Sequence, residues 1–244
     1  LLLLMMAVAF LALVGRAAYL QLFTHDFLQR QGESRYGRTV EVPASRGKVF
    51  DRNGIVLASS LPARAVWASP EEVKATSAQL DALARLLEMP KTELQRRLDV
   101  KGKTFVYLKR QVESDVAERG AALAIPGIHQ RKEYKRFYPE GEALAHVVGF
   151  TNVEDVGQEG IELAQENSLA GKPGSRRVIR DNFNRVIEDV ATLREPLEGR
   201  DLQLSIDSKI QFHAYSALRE AVREHRARAG AAVVLDVRSG EVLS

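Results

Sequence analysis

The chain has 244 residues, enough for one or two domains with cores of their own, and 45% hydrophobic with 27% charged residues is an ordinary globular balance. A net charge of +3 and a pI near 9.2 are mildly basic, which a solvated surface explains as well as an acidic partner does. There is no cysteine, which excludes disulfides and thiolate metal sites, and the five histidines (His25, His129, His146, His213, His225) form no HxxxH or HExxH pair, so no metal or cofactor is expected.

Leu1 to Val14 is uninterrupted apolar sequence, and after Gly15-Arg16 the bias resumes as far as Phe23. A helix over residues 1–23 is about 34 Å long at ~1.5 Å per residue, enough to cross a hydrocarbon core of about 30 Å, so a transmembrane anchor is expected there. Arg16 near one end can snorkel to the headgroups, with Tyr19 at the interface. A secretory signal peptide is the main alternative, although no A-x-A cleavage site follows, and a buried core helix is the third. The absence of an initiator Met leads to the expectation of residues upstream of Leu1.

Residues 24–40 are polar, and "RGKVFDRNGIVLASS" follows at 46–60. Asn53-Gly54 is a hairpin-turn signal between Val49 and Ile55-Val56-Leu57, because both turn residues tolerate positive φ. Ser45 and Lys48 have the Ser-x-x-Lys spacing of a serine acyl-enzyme. That chemistry requires the Ser to open a helix, where residues three apart share a face and the amine reaches the hydroxyl. Pro43 precedes this pair, Gly47 lies inside it and strand-like sequence follows. An extended chain puts the two on opposite faces, so no nucleophile is expected there.

Ser69-Pro70-Glu71-Glu72 reads as a helix start, with Val73, Leu80, Leu83 and Leu87 at helical spacing until Met89-Pro90. A short helix is expected at 93–98, a strand at 104–108, a helix capped by Ser114 that stops before Pro126-Gly127, and an extended basic stretch at 128–138. Residues 159–169 should be helical with Gly171 as C-cap, and 175–190 should form two strands around Asn182-Phe183-Asn184. Pro196 and Gly199 mark a boundary before a strand near Leu202. Asp207 or Ser208 then caps a helix carrying Ile210, Ala214, Ala217, Leu218, Ala221 and Val222 on one face. Residues 231–237 read as a core strand, 238–240 as a turn, and 241–244 as a strand just begun, the mark of a fragment. The expected fold class is mixed α+β, without repeats.

Gly157-x-x-Gly160 has the spacing of a phosphate or nucleic-acid loop, but it encloses Gln158 and Glu159, and a carboxylate there repels phosphate. Arg176, Arg177 and Arg180, and the set Arg219, Arg223, Arg226 and Arg228, lack interleaved aromatics and read as solvated faces, so nucleic acid is not expected as a partner. Asp51, Glu159 and Glu162 stand out only because each lies in a Gly-punctuated stretch.

The segments "RGKVFDRNGIVLA" (46–58), "RFYPEGEALAHVVGF" (136–150), and "GQEGIE" (157–162) with "LAGKPG" (169–174) resemble, in order, the three conserved boxes of class B penicillin-binding proteins. "GAAVVLDVRSGEVLS" (230–244) resembles the opening strands of their transpeptidase domain. "HVVGFTNVEDVGQEGIE" (146–162) is most similar to the division-specific, FtsI-type member, with the elongation-specific paralogue next. The resemblance implies a single-pass protein of the bacterial inner membrane with its bulk in the periplasm. Its parts would be an anchor at 1–23, an elongated non-catalytic pedestal (dimerisation-type) domain at 24–200, and at 201–244 the start of a serine β-lactamase-like transpeptidase domain, incomplete here.

The family enzyme crosslinks septal peptidoglycan: a Ser at a helix start attacks a D-Ala-D-Ala peptide, releases D-Ala and passes the acyl group to a neighbouring stem-peptide amine. The family's Ser-x-x-Lys, Ser-x-Asn and Lys-Thr-Gly motifs have no matching position in this chain, so no catalytic residue is carried over, and β-lactams would require the full transpeptidase domain. The implied partners are a SEDS-family glycosyltransferase, other division proteins, and peptidoglycan with its lipid-linked precursor. The matching box residues are Arg46, Gly47, Asp51, Arg52, Asn53, Gly54, Arg136, Tyr138, Pro139, Gly141, His146, Gly149, Gly157, Glu159, Gly160 and Glu162. They imply a structural role, with Arg46, Asp51, Arg52 and Glu162 as candidates for a partly buried ion network. Asn184 stands where the family usually has Gly, and Asn is the next best residue for positive φ. Two readings from other classes stay open: a membrane-tethered scaffold without an enzyme domain, and a self-contained hydrolase using Ser45.

Overall fold

The computed structural model describes residues 2–22, 37–100, 102–180 and 186–244. The chain divides into two units, Leu1–Glu41 with Ser175–Arg194, and Val42–Gly174 with Glu195–Ser244. In the first, α1 (Leu2–Leu22) is one helix, and β1 (Gly37–Val42), β6 (Gly174–Arg180) and β7 (Val186–Arg194) form a sheet in the order β1-β6-β7. β6 and β7 pair antiparallel from Ser175↔Arg194 to Arg180↔Val186, while the expected turn at 182–184, with Asn184, lies outside the described residues.

Side chains of α1 are described over residues 5–16, and all are exposed. Among the described residues no helix is long and apolar enough to cross a membrane. The span expected over 1–23 is therefore not met by the described residues.

The second unit is built on β3 (Val56–Ala68), the long central strand of a five-stranded sheet. On one flank its first residues pair with β2 (Val49–Phe50), which continues in parallel to β8 (Leu202–Gln203). Further along that strand, residues from Ala63 onward pair with β4 (Val106–Glu113). Pro62 falls between the β2 and β4 ladders, where β3 has a partner on one side only and a missing N–H is tolerated. The other flank pairs along its length with β5 (Ile128–Phe137), from Ser59↔Phe137 to Ala68↔Ile128. β5 has exposed Arg131, Lys132 and Lys135, charges that discourage further strand pairing.

Two apolar clusters hold this sheet. In the first, α2 (Ser77–Leu86), α3 (Lys91–Leu98) and α4 (Ser114–Ala122) bring Leu83, Leu87, Leu94 and Ala117 onto Val66, Leu108 and Val112. The second gathers Val49, Leu57, Ala58, Leu144, Val148, Leu169 and Ile206. With the half-buried Ile161, that set joins β2 and β3 to three short elements: α5 (Ala145–Val148), α6 (Gly160–Ala164) and α7 (Glu166–Leu169). α8 (Ser208–Glu224) follows β8, with Asp207 at its N-cap as the sequence indicates.

Several expectations are corrected. Ser69–Glu72 is a turn closed by Glu72 N–H to the Ser69 carbonyl, and the helix starts only at Ser77. The true cap is Thr76, which trades hydrogen bonds with Gln79 in a capping box, a pattern the T-x-x-Q sequence carries. Ser114 is the first helical residue, after Glu113 at the N-cap. The helix expected over 159–169 is broken at Gln165. Arg46 Nη2 takes the Glu162 carbonyl at 2.8 Å, the acceptor that residue 166 would use in an unbroken helix. Residues 231–237 form no continuous strand. Only Leu235↔Val242 bridges, and Val233, Leu235 and Val237 are exposed rather than core.

Leu83 is fully buried, so Leu83→Ala is expected to cost about 2–5 kcal/mol in urea unfolding. Thr76→Ala should cost about 1 kcal/mol through loss of the cap.

Candidate functional site

The sequence box at 46–58 contributes two anchoring side chains, Arg46 just before β2 and Asp51 just after it. Arg46 lies in an irregular stretch at 43–48 and is 2% exposed. Its Nε donates to Glu162 Oε2 at 2.6 Å, Nη2 to Glu166 Oε2 at 2.7 Å, and Nη1 to the Asp155 carbonyl at 3.1 Å. Arg136, near the end of β5, completes the cluster from the other side, with Nε donating to Glu162 Oε1 at 2.8 Å and Nη1 to Ser60 Oγ at 3.1 Å. Glu162 is fully buried, each oxygen held by one guanidinium.

Burial pushes the Arg46 pKa down, but Glu166 and Glu162 override it and the net shift is upward. Burial pushes Glu166 up, yet the Arg46 guanidinium and the Gly157 N–H hold it below the usual carboxylate range. Asp155 goes the other way. Burial, helped by Glu162 and Glu166, outweighs Arg46 and Arg136 and raises its pKa to about 6. Tyr138 is likewise raised by burial and by Glu162, while its hydroxyl accepts the Thr151 N–H at 3.1 Å.

Close backbone packing sets this geometry. A Cβ on Gly149 would lie 1.9 Å from the Glu159 carbonyl oxygen, and Gly149 has φ +78°. A Cβ on Gly157 would lie 2.2 Å from the Glu162 carbonyl oxygen. These two positions let the 149–157 loop lie against α6. Glu159 stands exposed at the N-cap position of α6 without a side-chain capping bond, and Gly160 opens the helix. Pro139, Gly141 and His146 are exposed and lie outside the ion cluster.

Asp51 is also fully buried. Oδ1 accepts the Asn53 and Ile55 N–H groups at 2.8 Å each, and Oδ2 accepts Ser208 Oγ at 2.9 Å and Ser208 N–H at 3.3 Å. Burial raises its pKa, but these donors outweigh burial and lower it. Asn53 does not adopt positive φ, whereas Gly54 does at +82°. The turn is therefore an Asp51–Gly54 turn shaped by the Asp51 carboxylate, not a two-residue Asn-Gly turn. Asn53 Nδ2 donates to Asp207 Oδ2 at 3.0 Å, and Arg52 makes an exposed ion pair with Glu241 at 3.2 Å. Thus Arg46 and Glu162 come together with Arg136, while Asp51 and Arg52 belong to a second network.

Neither network offers free catalytic groups. Both Glu162 oxygens and both Asp51 oxygens are occupied by donors. Ser45 Oγ donates to the Arg46 carbonyl at 3.4 Å on a non-helical segment, so it lacks the helical geometry that would present it to Lys48. Among the described residues no three His, Cys, Asp or Glu are placed to hold a metal ion. A cavity of about 410 Å³ beside Arg136 and Tyr138 is walled mainly by Leu57, Leu144, Val148 and Phe150. Sequence reasoning missed Glu166 and Asp155, and took Ser208 only as a possible helix cap rather than as a partner of Asp51. Only Glu166 carried a signal, lying four residues after Glu162 on what should be one helix face.

Residues 41–204 match the Penicillin-binding Protein dimerisation domain family. The chain is 44% identical over 243 residues to a probable peptidoglycan D,D-transpeptidase PenA of Neisseria gonorrhoeae, covering 98% of this chain and 42% of that protein. It is 42% identical over 246 residues to the peptidoglycan D,D-transpeptidase FtsI of Escherichia coli (strain K12), covering 98% and 41%. The chain therefore spans about two-fifths of the length of these relatives. Penicillin-binding protein PBP2 of Helicobacter pylori, solved in complex with MreC, shares the fold at TM-score 0.59 and 20% identity over 85% of this chain and 42% of that one.

Glu162→Gln leaves two buried guanidiniums without their shared charge and is expected to cost about 3–5 kcal/mol in urea unfolding. Asp155 has a folded pKa of about 6 against an ordinary 3.8, so the native state binds the extra proton between those values. Stability from this group is gained as pH falls from 6 towards 4 and is lost above 6. Asp155→Asn, which suits φ +62°, should raise the thermal midpoint at pH 7.5 and flatten the pH 4–6 limb.

Proposed function

The chain belongs to the class B penicillin-binding proteins, through the dimerisation domain it carries over residues 41–204, and on that premise we propose that it is the pedestal-bearing part of a septal peptidoglycan D,D-transpeptidase. The observation that carries this reading is end-to-end similarity to proteins named as D,D-transpeptidases, at 44% and 42% identity over 98% of this chain. The name FtsI among them supports the division-specific role over the elongation-specific one.

In this reading the segment does no chemistry. The acyl-accepting Ser lies in the part of the relatives' length that this chain does not span, and residues 24–200 are a platform. The apolar run of α1 would anchor the protein by a single span in the bacterial inner membrane, with the rest in the periplasm. The platform would engage a SEDS-family glycosyltransferase and other division proteins and receive peptidoglycan made from lipid-linked precursor. That Helicobacter pylori PBP2, which shares this fold, was solved in complex with MreC supports a partner-binding role. Exposed Val233, Leu235 and Val237 fit a sheet completed by further strands of a transpeptidase domain.

A fluorescent β-lactam should label the full-length parent and not the 244-residue chain. Labelling of the short chain that vanishes in Ser45→Ala contradicts this reading in favour of a hydrolase, and failure to label either protein favours a non-enzymatic scaffold.

A further inference from the structure

The first turn of α8 is capped from two directions. Its own N-cap Asp207 accepts the Lys209 and Ile210 N–H groups through Oδ1 at 3.0 and 3.2 Å. The Ser208 N–H and Oγ instead donate to Asp51 Oδ2, 157 residues earlier. The remaining contacts join the same two segments. Arg52 N–H donates to the Ile206 carbonyl at 2.9 Å, Gln203 Nε2 to the Arg52 carbonyl at 3.0 Å, and Asn53 Nδ2 to Asp207 Oδ2.

On its other side the start of α8 holds the terminal hairpin. Asp207 N–H donates to the Leu243 carbonyl at 2.9 Å, Ser205 Oγ to the Val242 carbonyl at 2.7 Å, and Ser244 Oγ to Gln211 Oε1 at 3.0 Å. The 51–55 turn, the first turn of α8 and the 234–244 hairpin thus form one continuous hydrogen-bonded path. Most exposed side-chain links in it, such as Arg52–Glu241, are weak individually. The Asp51–Ser208 contact differs because it is buried, charge-assisted and set against the positive end of a helix dipole.

We propose that Asp51 and Ser208 form a latch through which the pedestal hairpin fixes the start of α8, and with it the opening strands of the transpeptidase domain. This rests on the proposed transpeptidase reading and adds to it the residues that make the connection. Asp51 is a positioning residue in this proposal. It touches neither substrate nor nucleophile, because all its acceptor sites are filled by Asn53, Ile55 and Ser208.

The test is the rate of acylation of the full-length protein by a fluorescent penicillin, measured well below the unfolding temperature. Asp51→Asn presents an amide where Ser208 needs an acceptor. Ser208→Ala removes only the hydroxyl arm, and Ser208→Thr keeps it. A coupling of ordinary size corresponds to about a 5-fold or larger loss of acylation rate in Asp51→Asn. Ser208→Ala should lose less, Ser208→Thr should recover the parent rate, and the double variant Asp51→Asn/Ser208→Ala should be no slower than Asp51→Asn alone. Should Asp51→Asn fail to fold, the Ser208→Ala and Ser208→Thr pair decides the question. Parent-like rates in folded Asp51→Asn and Ser208→Ala overturn the latch and leave the transpeptidase reading standing. Absence of acylation in the unaltered full-length protein overturns both.

Discussion

One buried carboxylate, shared between two guanidiniums from distant parts of the chain, organises the second unit. Glu162 takes Arg46 on one oxygen and Arg136 on the other, across sequence separations of 116 and 26 residues. An ion buried this deeply is tolerated only when its lone pairs are filled and its countercharges are fixed. Around it the chain gives up regularity. The helix breaks at Gln165 while Arg46 occupies the Glu162 carbonyl, and glycines occupy 149 and 157, where a Cβ would strike backbone. Arg136 Nη2 is left buried without a hydrogen bond, so the cluster is better suited to selecting one arrangement of these segments than to adding net stability.

Asp51 is the second fixed point, five residues further along the same box. Between the two lies β2, paired to β3 on one side and to β8 on the other. A short stretch of sequence therefore sets the position of β5 and α6 through Arg46 and of the α8 start through Asp51. The two carboxylates respond oppositely to pH from those around them. Asp51, rich in donors, keeps its charge well into acid, and its contribution is lost only as pH falls below its ordinary value. Asp155, buried beside other carboxylates, gives up its charge near pH 6.

Where local rules decided the outcome, the sequence was readable. The Asn-Gly region pointed to the hairpin, Asp207 to the cap of α8, and the extended basic stretch at 128–138 to the edge strand β5. The resemblance of the boxes pointed to Arg46, Arg136 and Glu162, but spacing alone could not show that they meet, because contacts over a hundred residues apart leave no periodic trace. Ser69-Pro70 misled because two helix-start patterns lie close together, and the one whose side chains close a reciprocal box, Thr76 with Gln79, prevailed. Residues 231–237 have the near-continuous apolar run of a core strand but lack neighbours to bury them, and burial is a property of the partner surface, not of the strand.

The central claim is that the 46–55 segment, β8 and the start of α8 open as one unit. Amide hydrogen exchange tests it directly at four donors: Gly47 to the Leu169 carbonyl, Leu202 to the Lys48 carbonyl, Arg52 to the Ile206 carbonyl, and Ser208 to the Asp51 carboxylate. The account predicts opening free energies for these four that agree to within about 1 kcal/mol and approach that of global unfolding. Strong protection at Gly47 with rapid local exchange at Arg52, Leu202 and Ser208 would contradict it, because the α8 start would then be opening independently of the Arg46 cluster.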